Sequence, residues 1–105
     1  MAYLTLGQVA PGATTATTLY TVPSAKSTVC STLVVCNRST AGTYRVAVRP
    51  AGAALSNEHY LIYDSAIAAT TTDLITIGIT LATTDVVTVY ASSANFSFSL
   101  FGNEA

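Results

Sequence analysis

The sequence predicts an all-β fold: an antiparallel β-sandwich, jelly-roll-like, with seven or eight strands in a single domain over residues 1–105. Three observations predict it. Several short segments alternate apolar and polar residues with a period of two, the signature of strands with one covered face. Turn signals such as Pro11-Gly12, Pro23-Ser24 and Pro50-Ala51-Gly52 punctuate those segments at nearly regular intervals. No segment carries a convincing helical repeat, and 105 residues suffice for one real core but not for two.

Residues 2–8 (AYLTLGQ) set Leu4 and Leu6 against Tyr3 and Thr5, a first strand that can pair within the domain or reach a neighbour. Residues 14–22 (TTATTLYTV) are rich in β-branched side chains, with Thr18, Tyr20 and Val22 on one parity and Thr17, Leu19 and Thr21 on the other. The stretch 29–53 (VCSTLVVCNRSTAGTYRVAVRPAGA) reads as the hairpin on which the chain is organised. Its first arm is apolar on both parities, Val29, Leu33 and Val35 against Cys30, Val34 and Cys36, as expected of a central strand with both faces covered. Its second arm alternates Tyr44, Val46 and Val48 with Arg45, Ala47 and Arg49, so one face is core and the other meets water or a partner. The NRSTAG segment between them holds residues that bond their own backbone or tolerate positive φ.

Residues 51–58 are the least patterned, a loop or one helical turn. Residues 59–64 (HYLIYD) are apolar on both parities and are expected between two covered faces. Residues 73–81 (DLITIGITL) have the clearest alternation: Ile75, Ile77, Ile79 and Leu81 face the core, and Gly78 marks a bulge or a close backbone neighbour. Residues 86–91 (VVTVYA) and 95–101 (NFSFSLF) complete the strands, with Phe101 falling on the serine side of the last one.

Only 9% of residues are charged, against roughly 25% in an ordinary soluble protein. Four Lys or Arg and five Asp or Glu spread over a folded monomer leave about one charge per 600 Å². Thr, Ser and Ala must tile the outside, and such a subunit has little electrostatic protection against self-association, so a homo-oligomer is expected. The scattered Lys26, Arg38, Arg45 and Arg49 form no basic run, which disfavours nucleic-acid binding. No apolar run has the length that spans a bilayer, and residues 1–7 lack the charge and apolar pattern of a signal peptide, so neither a membrane partner nor secretion is expected. Cys30 and Cys36 share a parity on one strand, roughly 20 Å apart, too far to bridge, and read as buried free thiols.

Catalysis has little to draw on, and no enzyme is expected. The single His59 lies in a strand pattern and reads as structural. Asp64, Asp73 and Asp85 sit at strand ends or turns, where bonds to nearby backbone account for them. The two cysteines lack the spacing and partners of a metal site, and no phosphate-cradling glycine motif occurs, so no metal or cofactor is expected.

The segments CNRSTAGTYRVAVRPAGAALS, HYLIYD, GITLATTDVVTVYASSA and FSLFG resemble a family of short all-β structural proteins of tailed-bacteriophage virions, across most of the chain. YTVPSAK also resembles a segment that opens β domains of phage fibre and virion proteins. The resemblance implies a non-enzymatic virion component made in the host cytoplasm, with other virion proteins, above all the major capsid protein, as partners. A capsid decoration or cement protein is the favoured expectation, with a trimer as the favoured oligomer. A tail, baseplate or fibre-associated subunit and a small glycan-binding module are the alternatives. Tyr3, Arg45, Arg49, Tyr63 and Phe101 are the candidate interface residues. Tyr3 is the expected surface aromatic, and Arg45 with Arg49 could anchor to carboxylates of a shell.

Overall fold

The computed structural model describes residues 3–105, the side chain of Tyr3 excepted. Its nine strands are β1 (Tyr3–Val9), β2 (Thr17–Thr21), β3 (Thr28–Asn37), β4 (Gly42–Arg49), β5 (Tyr60–Ile67), β6 (Thr72–Ile75), β7 (Ile79–Leu81), β8 (Val86–Ala91) and β9 (Phe96–Glu104). Two 3-10 turns, Pro50–Gly52 and Asn57–His59, lie in the least patterned part of the chain. The first sheet has the order β1-β9-β3-β6 with β7 also paired to β3, and the second has the order β2-β8-β4-β5. All pairs are antiparallel. With β6 and β7 taken as one interrupted strand, each sheet has four strands and the chain changes sheet at every connection but β4 to β5. That is the connectivity of a jelly roll, so the expected fold class holds.

Three expectations about β3 and its neighbours in the chain and sheet need correction. The 29–53 hairpin does not exist as a pair, because β3 belongs to the first sheet and β4 to the second. Its NRSTAG connection is instead an arch between sheets, pinned by the buried Asn37. Asn37 Nδ2 donates to the carbonyls of Thr40 and Ala68 at 2.8 and 3.1 Å, and its Oδ1 accepts from the Ser39 N–H. Here the turn chemistry was legible and the pairing was not.

The second correction concerns parity in β3. Cys30 pairs with Gly102 and Thr32 with Phe101, so Ser31 is an extra, bulged residue. Beyond it the faces exchange: Cys30, Leu33 and Val35 point into the sandwich, while Val29, Val34 and Cys36 point out. The two cysteines therefore lie on opposite faces, Cys30 fully buried and Cys36 half-buried, both free.

Third, the best-patterned segment, 73–81, is not one strand. Leu33 pairs with Ile75 and Cys30 with Ile79, so the edge strand spends one more residue than β3 in passing the Ser31 bulge. The Ile77 N–H donates to the Ser31 carbonyl at 3.1 Å, and Gly78 turns the chain at φ +55°. No atom crowds Gly78, so the glycine serves the turn rather than a close approach. Ile75, Ile77 and Ile79 still pack against the core.

The sandwich is filled from the first sheet by Leu33, Val35, Phe96, Phe98 and Leu100 and from the second by Tyr44, Val46, Val87 and Val89. Burying each large apolar side chain contributes about 1.5–3 kcal/mol. The Tyr44 ring meets Phe98 edge-on at 6.1 Å and 69°, and its hydroxyl donates to Asp73 Oδ2 at 2.9 Å. Asp73 thus bridges the two sheets instead of serving a turn. Tyr20 does likewise, accepting from or donating to Thr28 Oγ1 at 2.7 Å and donating to Glu104 Oε1 at 3.0 Å. At Gly102 a Cβ would stand 2.1 Å from the Val29 carbonyl oxygen, so only glycine lets β9 lie this close to β3.

Candidate binding surfaces

Each sheet turns one face to the core and one outward, and the outward faces differ in kind. On the first sheet, register places directly opposed residues in outward rows. These are Gln8, Ser99, Val34 and Leu74; Thr5, Phe101 and Thr32; Ser97, Cys36 and Thr72; and Asn103, Val29 and Thr80. No Asp, Glu, Lys, Arg or His stands in these rows: Asp73 and Glu104, on β6 and β9, take the opposite parity and face the core side. Leu74 is 75% exposed and Val29 48%, while Phe101 is half-buried among its neighbours. A shallow depression of about 360 Å³ runs along Gln8, Ser97 and Ser99, where Gln8 Nε2 donates to Ser99 Oγ at 3.2 Å. Phe101 stands on the serine- and threonine-bearing face, as the parity it shares with Ser97 and Ser99 predicts. Leu74 and Val29 were missed, Leu74 because it alternates with isoleucines as if on a merely polar side.

The second sheet carries an aromatic and charged outward face. Tyr90 of β8 lies opposite Arg45 of β4. On the far side, β5 pairs irregularly: Ala47 with Tyr60, Val46 with Ile62, and Tyr44 with Ser65. Leu61 and Asp64 absorb the irregularities, Asp64 at φ +50°. As a result Tyr60 and Tyr63, three positions apart, both reach the outer face and meet edge to face at 4.9 Å and 84°. A regular strand would have put them on opposite sides. The Arg45 guanidinium lies between Tyr63 and Tyr90, 4.2 and 4.3 Å from their centroids. Its Nε and Nη2 donate to the two Asp64 oxygens at 2.6 and 3.2 Å. The paired hydrogen bonds hold the Asp64 carboxyl below its ordinary range and raise the Arg45 pKa further.

Arg49 is also occupied. Its Nε donates to Thr88 Oγ1 at 3.0 Å and its Nη1 to the Ala53 carbonyl at 3.0 Å, tying the 3-10 turn after β4 to the sheet. Asp85 accepts from the backbone N–H groups of Ala51 and Ala82, as expected of a turn aspartate. The two arginines share a face, yet each is spent on its own chain. His59 accepts from the Ser56 N–H through Nδ1 at 3.2 Å and caps the second turn, a structural role. Tyr3 pairs through its backbone with Asn103, and its side chain lies outside the described residues.

β5 is an edge strand, not one covered on both faces. Leu61 is 49% and Tyr63 58% exposed. Beside them a depression of about 460 Å³ is lined by Asn57, Tyr60 and Tyr63. Surface aromatics are therefore present, but on β5 and β8. Among the described residues no three His, Cys, Asp or Glu side chains converge as a metal site would require. Comparison with protein-family models, with curated proteins and with solved structures found no match to this chain.

Proposed function

We propose that this protein is a non-enzymatic structural subunit of a tailed-phage virion, a capsid decoration or cement protein. The observation that carries the reading is the outward face of the first sheet. It is four strands wide, has no ionised side chain and presents Leu74 and Val29 to solvent. With strands about 4.8 Å apart and β3 about 30 Å long, the face covers about 600 Å², approaching the roughly 800 Å² that one partner contributes to a standard interface. An uncharged surface made mainly of Thr, Ser, Val and Leu can be laid against another protein without stripping water from a charge. Its interspersed hydroxyls supply hydrogen bonds, and the apolar residues supply burial at about 25 cal/mol per Å². Mechanism is then area multiplied by copy number: each subunit spans a seam in the shell, and many copies together resist internal pressure. The resemblance of the sequence to virion proteins supports a partner within a virion, and the wide uncharged face favours the shell over a tail or baseplate.

The test is co-sedimentation with emptied, expanded heads, with free capsid protein in parallel. Retention on heads alone, lost in Leu74→Asp, supports the reading. No retention on heads argues for a tail or baseplate position, and equal binding to free capsid protein argues against a seam.

A further inference from the structure

We propose that the depression between the Asn57–His59 turn and the outward face of β5 is a binding site for a neutral pyranose sugar. Its volume of about 460 Å³ falls within the range of small-ligand sites and accommodates one or two sugar rings. The wall is aromatic: Tyr63 is 58% exposed, and Tyr60 stands nearly perpendicular to it. A pyranose offers a flat C–H face to such a ring and hydroxyls around its edge. Asn57, which also lines the depression, is exposed, and its side-chain amide has no partner among the described residues, leaving a donor and an acceptor for two ligand hydroxyls.

Two features make this more than an exposed tyrosine. Arg45 packs on Tyr63 and Tyr60 meets its ring, so the platform is rigid before a ligand arrives and little side-chain entropy remains to be lost. The charges packed on the platform cancel each other, and the Glu58 carboxylate in the adjoining turn disfavours an anion. Arg45 gives its Nε and Nη2 to Asp64, and its guanidinium lies over the rings of Tyr63 and Tyr90. An anionic ligand would have to break that arrangement, whereas a neutral one leaves it intact. The site lies on the sheet opposite the proposed shell-facing surface, so a subunit could hold both partners at once.

Saturation-transfer NMR with the methyl glycosides of glucose, galactose, mannose and N-acetylglucosamine at millimolar concentration tests the site, followed by amide-shift titration with the best of them. At least one glycoside should receive saturation through its ring C–H protons, and the amide shifts should centre on Asn57, Tyr60 and Tyr63. Tyr63→Ala and Asn57→Ala should each weaken binding by about tenfold. Tyr63→Phe should keep most of it, and Leu74→Asp should not affect it. The proposal is overturned if none of the four glycosides receives saturation, if the shifts centre elsewhere, if Tyr63→Ala binds like wild type, or if glucuronate binds more tightly than every neutral glycoside. Loss of head binding in Leu74→Asp with sugar binding intact would separate the two functions.

Discussion

The outward faces of the two sheets come from one sequence with one composition, yet they handle polarity in opposite ways. On the second sheet the charged residues are retained and satisfied internally: Arg45 by Asp64 and two tyrosines, Arg49 by Thr88 and a carbonyl. On the first sheet the outward rows contain no ionised group at all. A finished internal network is rigid and needs no partner, whereas an uncharged face with exposed Leu74 loses nothing electrostatic when covered. The low charge content is thus not spread evenly. It is concentrated as an absence on one side of the molecule.

The largest expected effect comes from placing charge on the blank face. Leu74→Asp should reduce retention on heads by more than about tenfold, because the carboxylate must be desolvated on docking. Since Leu74 is largely exposed, folding stability should change by no more than about 0.5 kcal/mol, measurable by urea denaturation. Light scattering on the same variant sharpens the comparison. Wild type is expected to be an oligomer, a trimer by preference. If Leu74→Asp dissociates it, the blank face joins copies of this chain to each other rather than to the shell.

Next in size is a contrast between inside and outside on one strand. Cys30→Ser should cost about 1–3 kcal/mol by burying a hydroxyl in an apolar site, and Cys36→Ser no more than about 0.5 kcal/mol. Equal costs would mean that the bulge at Ser31 does not exchange the faces. Burial raises the Cys30 thiol to about 11, so alkylation at pH 8 should label Cys36 first.

Alkali probes the links between the sheets. Burial, then the hydrogen bond to Asp73, raises Tyr44 from 10.0 to about 12. A raised folded-state pKa contributes stability that is complete below pH 10 and is lost as pH rises toward 12, because the unfolded chain releases the proton first. Thermal melts should therefore fall across that window, and less steeply in Tyr44→Phe.

The smallest effect concerns Asp64. Its carboxyl is held low by Arg45, so the pair should persist at neutral pH and dissolve only as pH drops below the ordinary carboxylate range. Tyrosine fluorescence should report the loosening of the Arg45 stack there. In Asp64→Asn that acid transition should be absent.

How much could be read in advance varied with how local the cause was. The alternation of Tyr44, Val46 and Val48 with Arg45, Ala47 and Arg49 was legible because β4 is regular through that span on its β8 side. Reading failed at Ser31 and Leu61, since a bulge is set by how neighbouring strands twist and pair rather than by the bulged residue. Tyr63 was a candidate interface residue from the sequence, but its joining Tyr60 on one outer face follows from that irregular pairing and not from the alternation. Arg45 and Arg49 were correctly placed on one face, but their partners, Asp64 and Thr88, are 19 and 39 residues away.

By itself the sequence determined the β class, the positions of most strands, the turn chemistry at Asn37 and Asp85, and the scarcity of charge. Each of these follows from side-chain period, local hydrogen bonding or composition, all carried within a few residues. Only the tertiary structure decided which sheet received each strand, where bulges exchanged the faces, and that Arg45, Arg49 and Asp64 came together on one outward face while the other was left without an ionised side chain. Those outcomes depend on pairing between strands far apart in the chain. Residues 28–37 and 96–104 form one ladder, and no local pattern in either announces the other.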